Sequence, residues 1–190
     1  MTPVNVIERF KETEAFLEGH FILSSGLHSP NYLQCALALK HPTNASEFGE
    51  AIAQHFKNVQ VETVASPAIG GLIIGYEVAR ALNANFIWTE RENGQMTLRR
   101  GFTVGPGERI LVVEDVVTTG GSTRKTIEAL ERAGAKVISA ASIIDRSGGD
   151  ADVGVSRVAL ATLTVPAFEP SVCPLCAQGS VAVKPGSRKP

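Results

Sequence analysis

One continuous stretch, Arg109 to Thr126, constrains this chain more than any other: R-I-L-V-V-E-D-V-V-T-T-G-G-S-T-R-K-T. Ile110, Leu111, Val112 and Val113 form an unbroken apolar run. A half-exposed strand would alternate, so this pattern suits a parallel strand covered on both faces. The strand is expected to end in two adjacent carboxylates, Glu114 and Asp115. A short turn, Val116 to Gly121, follows with hydroxyls at Thr118 and Thr119 and glycines at Gly120 and Gly121. Ser122 is the predicted N-cap of a helix running to about Arg132.

The loop chemistry favours a phosphate. Glycines let the backbone approach a ligand closely, and a helix start points orphan N–H groups and partial positive charge at the loop. Thr118, Thr119, Ser122 and Thr123 add hydroxyl donors. Glu114 and Asp115 would repel a phosphate but suit sugar hydroxyls or a hard cation such as Mg2+. Phosphate at one end and hydroxyls at the other describe a ribose 5-phosphate. The Walker loop and the dinucleotide fingerprint both fail, because no lysine follows Gly120 or Gly121 in the required way and G-x-G-x-x-G is absent here.

Composition narrows the class. A chain of 190 residues with 44% apolar content is one domain's worth of core. Net charge is −1 with scattered lysines and arginines, which argues against a nucleic-acid partner. Glu8, Arg9, Lys11, Glu12 and Glu14 interrupt any signal-like N-terminus, and no apolar run reaches the ~20 residues of a membrane span. Three cysteines do not make a secreted disulfide framework, so a cytoplasmic protein is expected.

Strand and helix patterns alternate, predicting an α/β fold: a mostly parallel central sheet with helices on both faces and a small N-terminal hood. Residues 5–18 read as a helix bearing Val6, Ile7, Phe10 and Leu17, stopped by Gly19. Residues 20–32 read as an edge hairpin around Ser24, Ser25 and Gly26. A helix from Asn44 to about Lys57 opens with an Asn44/Glu47 capping box and buries Phe48, Ile52 and Phe56. A strand from Val61 to Ala65 leads through Ser66–Gly71, a second small-residue loop whose N–H groups suit an anion, into a helix with Ile73, Ile74 and Val78 inward. After a strand from Asn85 to Thr89, Glu90–Gly101 reads as a hairpin or flap around Gly94. Lys136 to Ile144 is a strand ending in Asp145-Arg146 and a glycine-rich loop. That is where open α/β sheets bind ligands, and a guanidinium there can grip a carboxylate with two charge-assisted bonds. Ser156 to Thr164 is the last strand. In the tail, Cys173-Pro-Leu-Cys176 is half a zinc knuckle that Cys35, a histidine or a second subunit would have to complete; alone it reads as reduced, inert thiols. Lys184 to Pro190 reads as loosely held.

V-V-E-D-V-V-T-T-G-G-S resembles the phosphoribosyl diphosphate (PRPP) binding motif of the type I phosphoribosyltransferases. The F-x-L-x-S-G-like segment Phe21 to Tyr32 and the Asp145-Arg146 pair resemble, within that family, the orotate phosphoribosyltransferases. The resemblance covers nearly the whole chain. It implies a single phosphoribosyltransferase domain: residues 1–42 helix and hood, 43–165 core, 166–190 tail. It implies transfer of the 5-phosphoribosyl group from PRPP to orotate, giving orotidine 5′-monophosphate and pyrophosphate in pyrimidine biosynthesis. A purine-base enzyme and a non-catalytic PRPP sensor are the alternatives. By the match, PRPP falls to Arg91, Glu114, Asp115, Val116, Val117, Thr118, Thr119, Gly120, Gly121 and Ser122, and chemistry to Arg91, Glu114 and Asp115. Orotate falls to Ser25, Tyr32, Thr118 and Arg146, with Ser24, Gly26 and Asn31 nearby. Mg2+ is the implied cofactor, held mainly through PRPP rather than by protein side chains. A homodimer with a shared flap is implied, with no nucleic acid and no membrane. The family's flap carries an R-K-x-x-K-x-H-G-like pattern. Here Arg91 matches the first arginine, the lysine and histidine do not match, and Arg99 and Arg100 are the nearby cations.

Overall fold

The computed structural model describes residues 5–23 and 25–185. Its first helix, α1, spans Val6–Glu12 and is shorter than the predicted residues 5–18. Asn5 caps it by accepting the Glu8 N–H at 3.2 Å. The helix stops because Glu14 adopts φ 54°, a left-handed conformation that an α-helix of L-residues does not continue. Leu17 therefore lies not on the helix but in strand β1, Phe16–Ile22, and Gly19 sits within that strand rather than at a helix end. β1 pairs antiparallel with β2, His28–Leu33, as the expected hairpin.

Two helices follow, α2 (Cys35–Leu39) and α3 (Pro42–Gln54). The predicted capping box does not form, because α3 starts two residues early with Pro42 in its first turn. Asn44 Nδ2 instead donates to the Ala38 carbonyl at 3.4 Å, and Glu47 pairs with Arg9 at 3.2 Å. Phe48, Ile52 and Phe56 are buried as expected, and Phe10 of α1 packs on Phe48.

The remainder alternates: β3 (Thr63–Pro67), α4 (Gly71–Leu82), β4 (Asn85–Glu92), β5 (Gln95–Leu98), β6 (Arg109–Val117), α5 (Gly121–Arg132), β7 (Lys136–Asp145) and β8 (Arg157–Thr162). These strands form one six-stranded sheet in the order β5-β4-β3-β6-β7-β8, parallel except for β5. On one face Phe48, Ile52, Ile74 and Val78 of α3 and α4 pack against Val64, Leu111 and Val113. On the other, Ile127 and Leu130 of α5 pack against Ala65, Ile110 and Val112. Successive β6 residues thus enter opposite cores, and each of Ile110 to Val113 is 0% exposed. Ile73, expected inward, is 47% exposed, since it lies one step round α4 from the buried Ile74 and Val78.

The order places a topological switch between β3 and β6. The chain leaves β3 toward β4 on one side and leaves β6 toward β7 on the other, so the loops after β3 and β6 flank one crevice at the carboxyl edge. The tail, with a 3-10 turn at Pro170–Val172 and α6 at Pro174–Ala177, returns to the hairpin through bridges Phe21↔Val183 and His28↔Phe168. No helix among the described residues is long and apolar enough to cross a membrane.

Candidate active site

β6 does not stop at Val113 but carries on through Glu114 and Asp115 to Val117. Strand alternation therefore separates the two carboxylates. Glu114 turns toward α5, where it accepts hydrogen bonds from Ser122 Oγ at 3.0 and 3.1 Å and from Thr123 Oγ1. Asp115 turns toward the loop after β3. A Cβ at Gly70 would stand 2.9 Å from both Asp115 carboxylate oxygens, so the two loops meet there and a side chain at position 70 would not fit without movement.

The helix cap also differs from expectation. Gly120, at φ 75°, is the N-cap of α5, and a Cβ there would meet Val153 Cγ1 at 2.8 Å. Ser122 lies one step inside the helix and spends its hydroxyl on Glu114. The cause is the left-handed Gly120, which starts the helix earlier than a serine cap would. The first turn of α5 thus has no capping side chain, and its N–H groups face the crevice loop as donors for an anion.

Burial pushes the Glu114 carboxyl up to about 7, opposed by the Thr123 and Ser122 hydroxyls and reinforced by the Asp115 charge. The native state then holds a proton between pH 4.5 and about 7 that the unfolded chain has released. Stability from this group is present below the unfolded value and is lost as pH rises through the folded one. In the ligand-free protein, Glu114→Gln should flatten the fall in unfolding free energy over that window. Urea denaturation at a series of pH values checks this, and an unchanged slope would count against it.

At the end of β7, Asp145 does not pair with its neighbour Arg146. Its partner is Arg157 on β8, with Nη1 2.7 Å from Oδ2. Ser147 donates to Asp145 through its N–H at 2.8 Å and its hydroxyl at 2.6 Å. Burial alone would raise the Asp145 carboxyl, but the Ser147 and Arg157 donors outweigh it and hold it below its ordinary value. Arg146 is left without that carboxylate. It is half-buried, and its Nε is a buried donor with no partner. Its backbone N–H bonds the Val117 carbonyl at 2.7 Å, which seats it beside Thr118. Burial lowers the Arg146 guanidinium, and the groups whose charge opposes this are Tyr32 and Cys35. Burial raises Tyr32 and Cys35 in turn, and the Asp115 charge adds to both. Tyr32, Cys35, Asp115 and Arg146 therefore share one electrostatic environment at the crevice.

The other predicted residues lie at the edges. Ser25 is exposed in the β1–β2 turn and accepts the Leu27 N–H at 3.4 Å, Gly26 takes φ 89°, and Asn31 is half-buried beside Tyr32. Ser24 lies outside the described residues, as do 186–190 of the expected loose tail. The β4–β5 hairpin projects past Thr89, the last residue that pairs with β3. Its Asn93-Gly94 turn has φ 49° and 81°, the double positive of a tight hairpin turn. Arg91 Nη1 donates to the Gly94 carbonyl at 3.5 Å, and Arg100 Nε donates to Glu90 at 2.7 Å. Arg99 lies 3.7 Å from Glu90 and 3.6 Å from Glu92. The flap cations are thus paired on the hairpin itself. Arg157 escaped the sequence reading, as did the place of Cys35 beside Asp115 and the close approach of Gly70 to the Asp115 carboxylate, because each acts through a partner remote in the chain.

Comparison with known proteins agrees with this geometry. The phosphoribosyl transferase domain family matches residues 38–159. The orotate phosphoribosyltransferase of Thermotoga maritima is 54% identical over 181 residues, covering 95% of this chain and 97% of that protein. That of Caldicellulosiruptor bescii is 52% identical over 183 residues, covering 96% of each. Among solved structures, the orotate phosphoribosyltransferase of Aeropyrum pernix superposes with TM-score 0.67 at 29% identity, over 83% of this chain and 93% of that one. With a switch-point crevice, an uncapped helix start and identity above one half to the Thermotoga and Caldicellulosiruptor enzymes over at least 95% of its length, the chain belongs to the orotate phosphoribosyltransferase family of phosphoribosyltransferases.

Proposed function

We propose that the protein transfers the 5-phosphoribosyl group of PRPP to orotate, forming orotidine 5′-monophosphate and pyrophosphate in pyrimidine biosynthesis. The observation that carries this reading is Arg146. Its guanidinium is half-buried with Nε unpartnered, while the adjacent Asp145 is committed to Arg157. A buried donor of this kind calls for a ligand anion, and orotate brings a ring carboxylate.

The loop Thr118, Thr119, Gly120, Gly121 and Ser122, with the backbone of Val116 and Val117, holds the 5-phosphate at the uncapped start of α5. Asp115 accepts ribose hydroxyls and sets negative charge beside C1 as the sugar becomes cationic. Glu114 braces the helix start through Ser122 and Thr123. Tyr32 and Thr118 flank the base, and Ser25 covers it from the hairpin turn. Arg91, with Arg99 or Arg100, neutralises pyrophosphate once the hairpin closes and exchanges its own partners for the ligand. N1 of orotate displaces pyrophosphate at C1, and no side chain forms a covalent bond. The work is positioning and electrostatic stabilisation.

Phosphoribosyltransferases generally use Mg2+ with PRPP. The crevice fits such an ion, because the Asp115 carboxylate, which accepts the Val116 N–H at 2.8 Å through Oδ1, supplies a hard oxygen donor there. That donor set suits a hard cation held mostly by substrate oxygens and water. When bound, Mg2+ would neutralise the pyrophosphate oxygens.

Leu72, Ile73, Tyr76, Phe86 and Trp88 line an open apolar groove on α4 and β4, with Tyr76 58% exposed. A second copy of the chain covers it in this reading, making a homodimer, and the protein works in the cytoplasm, where its thiols stay reduced. Sedimentation at assay concentration should give twice the chain mass; a single-chain species would remove the dimer.

An ultraviolet assay with PRPP and Mg2+, run on orotate beside adenine, hypoxanthine and uracil, tests the reaction. Turnover of orotate alone is expected. Turnover of a purine instead would overturn the role of Arg146 and keep the phosphate loop.

A further inference from the structure

The tail and the hood meet at a cluster that the transferase reaction does not use. His20 on β1, His28 on β2, and Cys173 and Cys176 at α6 each aim one donor atom at a common point, with all four atoms within 4.8 Å of one another. Three of the four residues are buried. Among the described residues this is the one place where three or more such donors converge.

The spacings match a tetrahedron. Metal–nitrogen and metal–sulfur bonds of zinc imply N···N of about 3.3 Å, N···S of about 3.6 Å and S···S of about 3.8 Å. Here His20 Nε2 lies 3.0 Å from His28 Nδ1. Cys173 Sγ lies 3.5 Å from His20 Nε2, and Cys176 Sγ lies 3.8 Å from His20 Nε2 and 3.3 Å from His28 Nδ1. The outer contact fits too. His20 Nδ1 faces the Ser180 carbonyl at 3.1 Å, so its proton belongs on Nδ1 and its Nε2 lone pair points into the cluster. Metal-bound histidines are oriented by such a bond. A single N–H from His28 would satisfy the two imidazoles, but it leaves both sulfurs converging on the same point without a strong donor or acceptor.

We propose that His20, His28, Cys173 and Cys176 form a structural zinc site that clips the C-terminal segment to the hood. Two histidines and two cysteines in a closed tetrahedron suit zinc and leave no open position for catalysis. On binding, both thiols lose their protons and His28 carries its proton on Nε2. Two thiolates then balance the charge of the ion, which suits a largely buried site. The segment needs such a clip, because its apolar residues bury little: Val172, Val181 and Val183 are 72%, 83% and 58% exposed. What otherwise ties it to the hairpin is a few backbone bonds, among them Val183 N–H to the His20 carbonyl at 2.8 Å and the reciprocal pair between His28 and Phe168. The sequence shows half of this site in Cys173 and Cys176 and leaves open whether Cys35, a histidine or a second subunit completes it; the fold brings His20 and His28 to the two sulfurs from about 150 residues away in the chain.

Elemental analysis of the protein, purified without chelator in reducing buffer and then loaded with zinc, should give about one zinc per chain. Exchange with cobalt(II) should give the visible absorption of tetrahedral thiolate–cobalt. Cys176→Ser, at an exposed position, and His28→Ala should each lower zinc affinity at least about tenfold. Chelation of the wild type should expose the segment from Pro166 onward to limited proteolysis. Wild-type protein that takes up neither metal, or variants that bind it as the wild type does, would overturn the site whatever the transferase assay shows.

Discussion

Arg146→Ala should lower kcat/KM for orotate by about a hundred- to thousand-fold, equivalent to about 3–4 kcal/mol of transition-state stabilisation, while PRPP affinity changes little. The asymmetry follows from where the side chain stands. The Arg146 backbone N–H bonds the Val117 carbonyl and its guanidinium shares an electrostatic environment with Tyr32, which in the proposed reading is the base side of the crevice, whereas the donors proposed for the phosphate are backbone groups at the uncapped start of α5. Arg146→Lys should recover only part of the loss, because an ammonium cannot make two parallel bonds to a carboxylate. A second readout separates recognition from general damage. Uracil has the same ring without the carboxylate, so the preference for orotate over uracil should collapse in the alanine variant. Steady-state kinetics on both bases, with PRPP binding by calorimetry, check the set. Equal loss on both substrates would move Arg146 from the base to the scaffold.

The parts of this site that were legible in the sequence are local. The apolar run Ile110 to Val113 announces a strand buried on both faces, and the small-residue loop and following helix are contiguous with it. One segment therefore exposes its own chemistry. What the sequence hid depends on contacts across the fold. Glu114 and Asp115 are neighbours in the chain but face opposite sides of the sheet, and only the strand's continuation to Val117 separates them. Asp145 and Arg146 look like a pair, yet the strand geometry gives Asp145 to Arg157 on β8. The end of α1 was hidden for another reason. Glu14 breaks the helix in a left-handed conformation usually marked by glycine or asparagine, so residue type gave no stop signal before Gly19. The flap hairpin was readable from Asn93-Gly94, whereas the capture of Arg99 and Arg100 by Glu90 and Glu92 was not, since charge alternation alone does not fix which pairs close.

Asp145→Ala should destabilise the fold by about 3–5 kcal/mol, the cost of leaving one partner of a buried ion pair unpaired. The Asp145 side chain is 2% exposed and that of Arg157 is 13% exposed, so little water is available to replace the lost carboxylate. The Ser147 N–H and hydroxyl lose their acceptor in the same step. Arg157→Met added to Asp145→Ala should restore part of the loss, because removing both charges also removes the unpaired one; a double-mutant cycle measures that coupling. The pH dependence has a defined sign. The folded carboxyl sits below its ordinary 3.8, so its contribution is present above that value and is lost as pH falls through the lower folded value. The stability gap between wild type and Asp145→Ala should therefore be constant at neutral pH and narrow as pH falls below about 4. Urea denaturation at neutral and acidic pH checks both the size and the sign. A cost under about 1 kcal/mol would place the pair among surface ion pairs. It would also weaken the reason Arg146 is left without that carboxylate, since the Asp145–Arg157 pair is what commits Asp145 away from the guanidinium proposed to grip the base.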